Sequence, residues 1–201
     1  MSFPPTLVLA TRNEHKIREL GRICAGWPVR WITLRDPVAA EVPDVEETGA
    51  TYLENAMLKA TAVARALDLP AIADDSGIEV DALGGAPGPR SARYAGEDAT
   101  DEENLRTMLT AIRGVPAGGR TARYRCVAAF AEPGGAARHA EGVCEGTLVT
   151  VPRGAGGFGY DPAFVPVGWD VTMAELTDAQ KERISHRGRA FRALGELLGA
   201  G

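Results

Sequence analysis

The chain has 201 residues, and its 45% hydrophobic content is enough for one large domain or two lobes with a packed core. Its net charge of −5 argues against a nucleic acid polymer or an anionic membrane as partner, because both bind basic faces. No apolar run is long enough for a transmembrane helix, and the first residues lack the basic leader of a signal peptide. Three cysteines without CxxC spacing indicate reduced thiols in a cytoplasmic protein.

The first half of the chain predicts alternating strands and helices. An apolar run at 6–10 predicts a strand, and the following helix would be capped by Asn13 or Thr11. The further predicted elements are a strand at 29–33, a loop at 35–49, a helix at 51–67 opened by a capping box, and two short strands at 71–73 and 78–83.

The second half of the sequence is predicted to contain two helical regions and one hairpin. Its predicted elements are a helix from 100 to about 113, an antiparallel hairpin of strands 121–131 and 138–149, a glycine-rich loop, and a helical region from 177 to 198 bent near Gly188. The order predicts an α/β fold with a mixed central sheet flanked by helices. We expect one domain over residues 1–201, with two lobes around a substrate cleft.

Lysine is rare in this chain, since only three of the 22 basic residues are lysines. Lys16 lies at the start of the first predicted helix, where backbone N–H groups and the helix dipole attract anions. Lys59 follows Asn55 by one turn on the second helix, away from its apolar face, and Lys181 lies in the first turn of the last helix. Each position is a candidate phosphate contact, and a solvated surface lysine is the alternative for each.

Two carboxylate pairs are candidates for metal or proton chemistry. Adjacent strand residues point to opposite faces, so Asp74 and Asp75 are not expected to share one metal ion. One would bind metal or water, and an Asx turn formed by the segment DDSG is the alternative. Glu46 and Glu47 lie in an irregular loop, where they could bind Mg²⁺, which takes one or two protein carboxylates plus waters and phosphate oxygens. A solvated acidic loop is the alternative there.

Two glycine-rich loops could approach a ligand closely. In GGFGYDPAF the glycines let the backbone come near a ligand, and Phe158 offers a face for stacking a base. A turn with a core phenylalanine is the alternative, and neither GxGxxG nor a P-loop is present. In GGAPGPRSARYAG, Arg90 and Arg93 could bind phosphate, hold an acidic neighbour or contact a second subunit.

Six ordered segments together are similar to the inosine/xanthosine triphosphate pyrophosphatase family. They are TRNEHKIRE, EETGATYLENAMLKA, ADDSG, GGAPGPRSARYAGEDAT, GGFGYDPAF and AELTDAQKERISHRG, within a match from 6 to about 198. The family hydrolyses non-standard purine nucleoside triphosphates to the monophosphate and pyrophosphate. One departure is Pro89, where family members often have an aliphatic residue; it could alter a dimer-contact loop.

The resemblance implies roles for the phosphate and metal residues. Asp75 would be the general base and a metal ligand, with Glu46 as its metal partner and Glu47 or Asp74 assisting. The triphosphate would be bound from the first helix and from the second helix, by Thr11, Asn13, Lys16 and Lys59. The other residues of this entry segment, Arg12, Glu14 and His15, would also be substrate-binding. Ser76 would touch the substrate.

The resemblance also implies a base site, a metal and an assembly. Phe158 would stack on the base, and the base pocket would be lined by Gly159, Tyr160 and Asp161. The base and phosphates would be covered by Lys181, His186 and Arg187. Mg²⁺ is the implied cofactor, and the implied assembly is a homodimer of an elongated fold.

These roles predict a Mg²⁺-dependent enzyme that cleanses the nucleotide pool of ITP, dITP and XTP. Asp75 would take a proton from the water that attacks the α-phosphorus, and pyrophosphate would leave. Donors facing the 6-oxygen of the base would reject adenine, whereas the contacts that exclude guanine are not visible in the sequence. The alternatives are a phosphatase that releases orthophosphate, a pyrophosphatase for modified pyrimidines, and a nucleotide sensor without turnover.

Overall fold

The structure is a computed structural model that describes residues 3–199. Its strands are β1 (Thr6–Leu9), β2 (Arg30–Thr33), β3 (Ala71–Val80), β4 (Thr121–Ala131), β5 (Ala137–Leu148) and β6 (Phe164–Pro166). Its α-helices are α1 (Glu14–Ile23), α2 (Tyr52–Leu67), α3 (Asp101–Ala111), α4 (Asp178–Ile184) and α5 (His186–Leu198). None of the helices in this described range combines the length and the apolar composition of a membrane span.

Within residues 3–199 the strands form one six-stranded sheet in the order β2-β1-β3-β4-β5-β6. Strand β1 pairs in parallel with both β2 and β3, whereas β5 and β6 are antiparallel. Only residues 132–136 connect β4 to its neighbour β5, which is too short for a parallel crossover and confirms the predicted hairpin. The predicted mixed α/β class is therefore confirmed.

The chain divides into two compact units. The first contains the residues up to Asp75, Cys126–Gly142 and the residues from Arg187 onward. The second contains Ser76–Arg125 and Val143–His186. The divisions fall inside β3, β4 and β5 and after the first residue of α5, so neither unit is a continuous piece of the chain.

The first unit has apolar cores on both faces of its strands. Leu7 of β1 belongs to one core, together with Leu20 of α1 and Phe191 of α5. The next residue, Val8, belongs to the other core, which contains the apolar face of α2. This division follows from the two-residue repeat of a strand. Each fully buried aliphatic or phenylalanine side chain stabilises the fold by about 1.5–3 kcal/mol relative to an exposed one.

The second unit has a separate core between its own strands and helices. Its buried residues include Ile78 of β3, Met108 of α3, Tyr124 of β4 and Phe164 of β6. Tyr124 and Phe164 are in aromatic contact, with ring centroids 4.7 Å apart. Tyr160 and Ala163, which follow the glycines of the glycine-rich loop in the chain, also pack in this core.

The predicted helix starts are confirmed. The side chain of Asn13 accepts hydrogen bonds from the first turn of α1, and the capping boxes are Thr51–Glu54, Thr100–Glu103 and Thr177–Gln180. Each such cap stabilises a helix by about 1 kcal/mol relative to alanine. The caps therefore fix where the helices begin, including those that carry Lys16, Lys59 and Lys181.

Strand β3 differs from its prediction. Two short strands, at 71–73 and 78–83, were expected with a break at the segment DDSG between them, but Ala71–Val80 is one continuous strand of ten residues. Both carboxylates inside it, Asp74 and Asp75, are buried and compensated by partners from helices. The prediction of a turn was wrong because these tertiary contacts override the local turn preference of the segment.

The last helical region also differs from its prediction. Helix α4 ends at Ile184, and the next residue, Ser185, is fully buried and has an extended backbone (φ −64°, ψ 152°). Gly188, the predicted bend, lies inside α5. The interruption therefore comes three residues earlier than predicted, and it places His186 and Arg187 in the first turn of a new helix.

Candidate active site

Strand β3 directs its two aspartates to opposite faces, as predicted from strand geometry. Asp74 is two residues from Ile72 and therefore points to the same face of β3, where the core contains residues of α1 and α5. Asp75 points to the same face as Ala73, where the core contains residues of α2. The two side chains accordingly have different partners, and each group lies within the first unit.

On the α2 side, Asp75 is held by a helix amide and a lysine. The Asn55 side chain donates a hydrogen bond from Nδ2 to Oδ2 of Asp75 (3.1 Å), and the Nζ atom of Lys59 lies 3.8 Å from Oδ1. Lys59 also forms an ion pair with Glu47. A lysine thus links the carboxylate of Asp75 to that of Glu47.

The loop that carries the two glutamates is tied to the same helix. The N–H of Gly49 donates to Oδ1 of Asn55 at 2.8 Å, so one amide side chain joins this loop to Asp75. A Cβ atom at Gly49 would lie 2.6 Å from Cβ of Glu54, so only glycine fits this approach. Glu46 itself is exposed.

The electrostatics of this group favour a basic carboxylate beside a charged lysine. Burial raises the pKa of Asp75, and Glu47 adds to this effect, whereas Lys59 opposes it; the net pKa is raised. Burial alone would lower the pKa of Lys59, but the carboxylates of Asp75 and Glu47 raise it above its usual value. Asp75 is therefore a stronger base than an ordinary aspartate.

On the other side of β3, Asp74 belongs to a buried ion cluster. Its Oδ2 atom lies 3.1 Å from Nζ of Lys16 and accepts hydrogen bonds from Nε and Nη2 of Arg187, both at 3.1 Å. Nη1 of Arg187 donates to Oε2 of Glu19 at 2.6 Å, and the thiol of Cys126 lies 3.9 Å from Asp74. Burial alone would raise the pKa of Asp74, but Lys16 and Arg187 bring it far below its usual range.

The start of α1 is organised mainly by its own cap. Oδ1 of Asn13 accepts from the N–H groups of His15 (2.9 Å) and Lys16 (3.2 Å), and the Thr11 hydroxyl accepts from Asn13 N–H. The cap therefore occupies two of the backbone N–H groups that an anion could use at this helix start.

Two further residues of this segment make exposed ion pairs. Arg12 pairs with Asp44 and also donates to the carbonyl of Val42, both at 2.6 Å. Glu14 pairs with Arg35. These contacts fasten the segment to the loop after β2.

In the second unit, Asp161 collects three donors. Its Oδ2 atom accepts from Nζ of Lys181 (2.7 Å) and from the backbone N–H of Phe158 (2.9 Å), and its Oδ1 atom accepts from the Tyr124 hydroxyl (3.1 Å). The Nζ atom of Lys181 lies 5.0 Å from the centre of the Phe158 ring. The structure thus brings together three of the residues predicted for the base pocket.

Close packing of the glycine-rich loop depends on missing side chains. Gly157 has a φ of +70°, and a Cβ atom there would lie 2.1 Å from Oδ2 of Asp161. Gly159 has a φ of +61°, and its N–H donates to Asp101 at 3.0 Å. Tyr160 is buried and donates from its hydroxyl to the Ser91 carbonyl at 2.7 Å.

The remaining predicted residues are placed as follows. His186 is buried and its ring stacks on Tyr124, with centroids 4.6 Å apart and planes 8° apart. Ser76 is half-buried in β3. Arg90 and Arg93 hold an acidic neighbour, Glu97, at 2.7 and 3.6 Å, which was one of the three alternatives.

Three residues in these groups were given no role from the sequence: Glu19, Asn55 and Tyr124. Asn55 had one available signal, since an amide one turn before Lys59 faces the same way. Glu19 and Tyr124 had none, because a charged helix residue and a strand tyrosine are common in any fold. Their partners lie far away in the sequence, Arg187 being 168 residues from Glu19.

Each of the two units carries its own group of charged and aromatic side chains. The first unit offers a basic carboxylate with lysines on either side of one strand, and the second offers an aromatic ring beside a lysine. Buried pairs of lysine and carboxylate on a mixed α/β sheet are typical of proteins that bind phosphorylated ligands. The chain belongs to the Ham1 family, whose model matches residues 7–197. The resemblance predicted from the sequence is thereby confirmed.

Known relatives and solved structures match nearly the whole length of this chain. A dITP/XTP pyrophosphatase of Geobacillus kaustophilus is 48% identical over 190 residues, covering 94% of this chain and 92% of that relative. A dITP/XTP pyrophosphatase of Streptomyces coelicolor is 50% identical over 197 residues, covering 96% and 98%. The structure of a HAM1 protein from Coxiella burnetii is 40% identical with a TM-score of 0.88, covering 98% of this chain and 100% of that one.

Proposed function

We propose that this chain hydrolyses non-standard purine nucleoside triphosphates (ITP, dITP and XTP) to the monophosphate and pyrophosphate, and so cleanses the nucleotide pool. The observation that carries the proposal is Asp75, a buried carboxylate whose raised pKa and neighbouring Lys59 suit a general base at a phosphate site. The names of the curated relatives, dITP/XTP pyrophosphatases, agree with the predicted function.

The residues around Asp75 fit a magnesium ion. Asp75 and Glu47 flank the same lysine and offer the carboxylate oxygens that Mg²⁺ prefers. In residues 3–199 no group of three or more acidic, histidine or cysteine side chains could hold a metal, so phosphate oxygens and waters would complete the coordination. Bound there, Mg²⁺ would neutralise phosphate charge and acidify water. Glu46 remains a proposed ligand, with Glu47 as its rival.

The chemical step follows from the position of Asp75. Its carboxylate takes a proton from a water molecule whose oxygen forms the new bond to the α-phosphorus. The bond from that phosphorus to the bridging oxygen breaks, and pyrophosphate leaves. Lys59 and Lys16 compensate phosphate charge, and Asn55 keeps the Asp75 carboxylate in one orientation. A positioned base accelerates such a step by roughly 10²–10⁴-fold.

The second unit supplies the groups for the base. Phe158 offers its ring for stacking, and Lys181 offers only hydrogen-bond donors, which suit the 6-oxygen of hypoxanthine or xanthine. Adenine presents an amino donor at that position, so two donors would face each other without a hydrogen bond. Asp161 holds both residues through its carboxylate. Gly159 and Tyr160 complete the proposed lining, and Ser76 remains a proposed substrate contact.

Several predicted substrate contacts receive a different role in this proposal. Arg187 is 2% exposed with its guanidinium bound to two carboxylates, so it positions Asp74 and Lys16. Asn13 acts as the cap that orients Lys16. His186 is held by its stack on Tyr124. Thr11, Arg12, Glu14 and His15 shape the same segment.

The proposed location and assembly rest on the sequence prediction. Cys24, Cys126 and Cys144 are buried cysteines, which supports the reducing cytoplasm as the compartment. The homodimer is proposed from the family resemblance, and analytical ultracentrifugation of the purified chain tests it. A single species of monomer mass would contradict it.

Product analysis tests the proposed activity directly. The purified protein is incubated with ITP, dITP, XTP, GTP and ATP, each with and without Mg²⁺, and the products are separated by ion-exchange chromatography. We expect IMP, dIMP or XMP plus pyrophosphate only with Mg²⁺, and little GMP or AMP. Orthophosphate would indicate a phosphatase, turnover of modified pyrimidine triphosphates alone would indicate the related pyrophosphatase, and binding without turnover would indicate a sensor.

Matched variants test the proposed roles of the carboxylates. Asp75→Asn keeps the shape of the side chain, and we expect its turnover to fall by at least about 10²-fold while the protein stays folded. Glu46→Gln and Glu47→Gln compare the two candidate metal ligands. The variant that lacks the true ligand should need a higher Mg²⁺ concentration to reach its half-maximal rate. Glu41→Gln, in the same acidic loop, is the control. Normal turnover in Asp75→Asn would refute the assignment.

A further inference from the structure

We infer that Tyr124 is a positioning residue that sets the base selectivity of this enzyme through Asp161 and His186. Tyr124 lies on β4 within the second unit, and it is 6% exposed. The inference rests on the proposed function, because base selectivity has meaning only for a nucleotide substrate. It concerns a residue whose neighbours, and not its own atoms, would face the base.

The hydroxyl of Tyr124 fixes one oxygen of Asp161. It donates to Oδ1 at 3.1 Å, while the other carboxylate oxygen accepts from Lys181 and from the N–H of Phe158. Burial and the charge of Asp161 raise the pKa of Tyr124 well above its usual value, so the hydroxyl stays protonated and remains a donor. The carboxylate therefore cannot rotate without breaking a contact to the residues proposed for stacking and base recognition.

The ring of Tyr124 fixes a second residue of the same group. It stacks on His186 with centroids 4.6 Å apart and planes 8° apart, and Phe164 packs on it at 4.7 Å. One tyrosine thus contacts both Asp161 and His186 by different parts of its side chain. The hydroxyl and the ring can be removed separately, which makes the two effects distinguishable.

Selectivity depends on these positions because Lys181 can only donate hydrogen bonds. A lysine held in one place accepts a 6-oxo purine and rejects a 6-amino purine, whereas a mobile lysine can move away from the amino group. Gly157 shows how tightly Asp161 is packed, since a Cβ there would lie 2.1 Å from Oδ2. Loosening Asp161 is therefore expected to weaken discrimination more than it slows the chemical step, for which Asp75 is responsible.

The test compares Tyr124→Phe, which removes only the hydroxyl, with Tyr124→Leu, which also removes the stack. Steady-state kinetics with ITP, GTP and ATP give kcat and KM for each variant. We expect Tyr124→Phe to lower kcat/KM for ITP about tenfold, mainly through KM, and to lower the ITP-to-ATP ratio of kcat/KM. Tyr124→Leu should lower both further. An unchanged ratio in a folded Tyr124→Phe would overturn the inference, whether or not Tyr124→Leu folds.

Thr172→Val is the control for a general loss of stability. Thr172 is fully buried in the second unit, and its hydroxyl donates to the carbonyl of Arg153 at 2.9 Å and not to Asp161. The Thr172→Val variant should lower Tm, as Tyr124→Phe should, and leave the ITP-to-ATP ratio of kcat/KM unchanged. If it changes the ratio equally, the inference fails.

Calorimetric titration with IMP and AMP separates this inference from the proposed function. If the wild-type protein releases no pyrophosphate, the proposed function fails, and the binding data alone decide the inference. Weaker IMP binding by Tyr124→Phe, with a smaller preference over AMP, supports the positioning role. Equal affinities for the wild-type protein and the variant overturn it.

Discussion

The buried ion cluster behind β3 gives a prediction about stability. Lys16 and Arg187 supply two positive charges, and Glu19 and Asp74 supply two negative charges. Arg187→Met leaves two buried carboxylates with one cation, and it removes three hydrogen bonds at 2.6–3.1 Å. Removing one partner of a buried ion pair costs about 3–5 kcal/mol, a large part of the 5–15 kcal/mol by which domains are stable. We therefore expect Arg187→Met to lower the free energy of unfolding by about 3–5 kcal/mol.

Urea unfolding of a double-mutant cycle measures whether the cost comes from the uncompensated charge. Glu19→Met combined with Arg187→Met leaves the pair Lys16–Asp74, which is neutral overall. The double variant should therefore be more stable than the sum of the single effects predicts, by about 0.5–3 kcal/mol. Arg35→Met, which breaks an exposed pair with Glu14, is the control and should cost no more than about 1 kcal/mol. Additive effects, or a small loss in Arg187→Met, would refute the argument.

Further predictions concern pH, packing and cooperativity. The pKa of Asp75 is raised in the folded state, so ionising this carboxyl group costs stability as the pH rises above its unfolded pKa near ~4. Asp75→Asn removes this cost and should raise Tm at pH 7 in metal-free buffer. An unchanged Tm would contradict this. The pKa of Asp74 is lowered, so its contribution is present above pH ~4 and lost in acid; Asp74→Asn should flatten the decline of Tm below that pH. Gly157→Ala should displace Asp161 and raise KM for ITP, whereas Gly134→Ala, with open space around it, should not. We also propose that the chain unfolds as one domain, so calorimetry should show one transition; two separated transitions would argue for independent units.

Local signals were sufficient for most helices and for the hairpin. Capping boxes, apolar periodicity and turn residues act between neighbours in the chain, so Thr51, Thr100 and Thr177 were identified correctly. The continuity of β3 was missed because it depends on distant partners. Arg187 reaches Asp74 across 113 residues of sequence. A segment read without those partners has the composition of a turn.

The site was predictable to the extent that its residues belong to recognisable segments. Lys16, Lys59 and Lys181 stood out because lysine is rare here, and each of them pairs with an aspartate in the structure. The sequence does not show which aspartate each lysine meets, because this depends on strand parity and on helix packing. For the same reason Glu19 and Tyr124 could not be distinguished from ordinary helix and strand residues.

The two adjacent aspartates show how one strand can place identical side chains in different environments. Asp74 faces two cations that keep it ionised, while Asp75 is buried with its pKa raised, so only the second suits proton transfer. A register shift of one residue would exchange the two faces and with them the two environments. The uninterrupted run of β3 through Ser76 and Gly77 opposes such a shift, because it fixes the alternation on both sides of the pair. A turn at Ser76 would release this constraint, and the separate roles of the two carboxylates therefore depend on the strand being continuous.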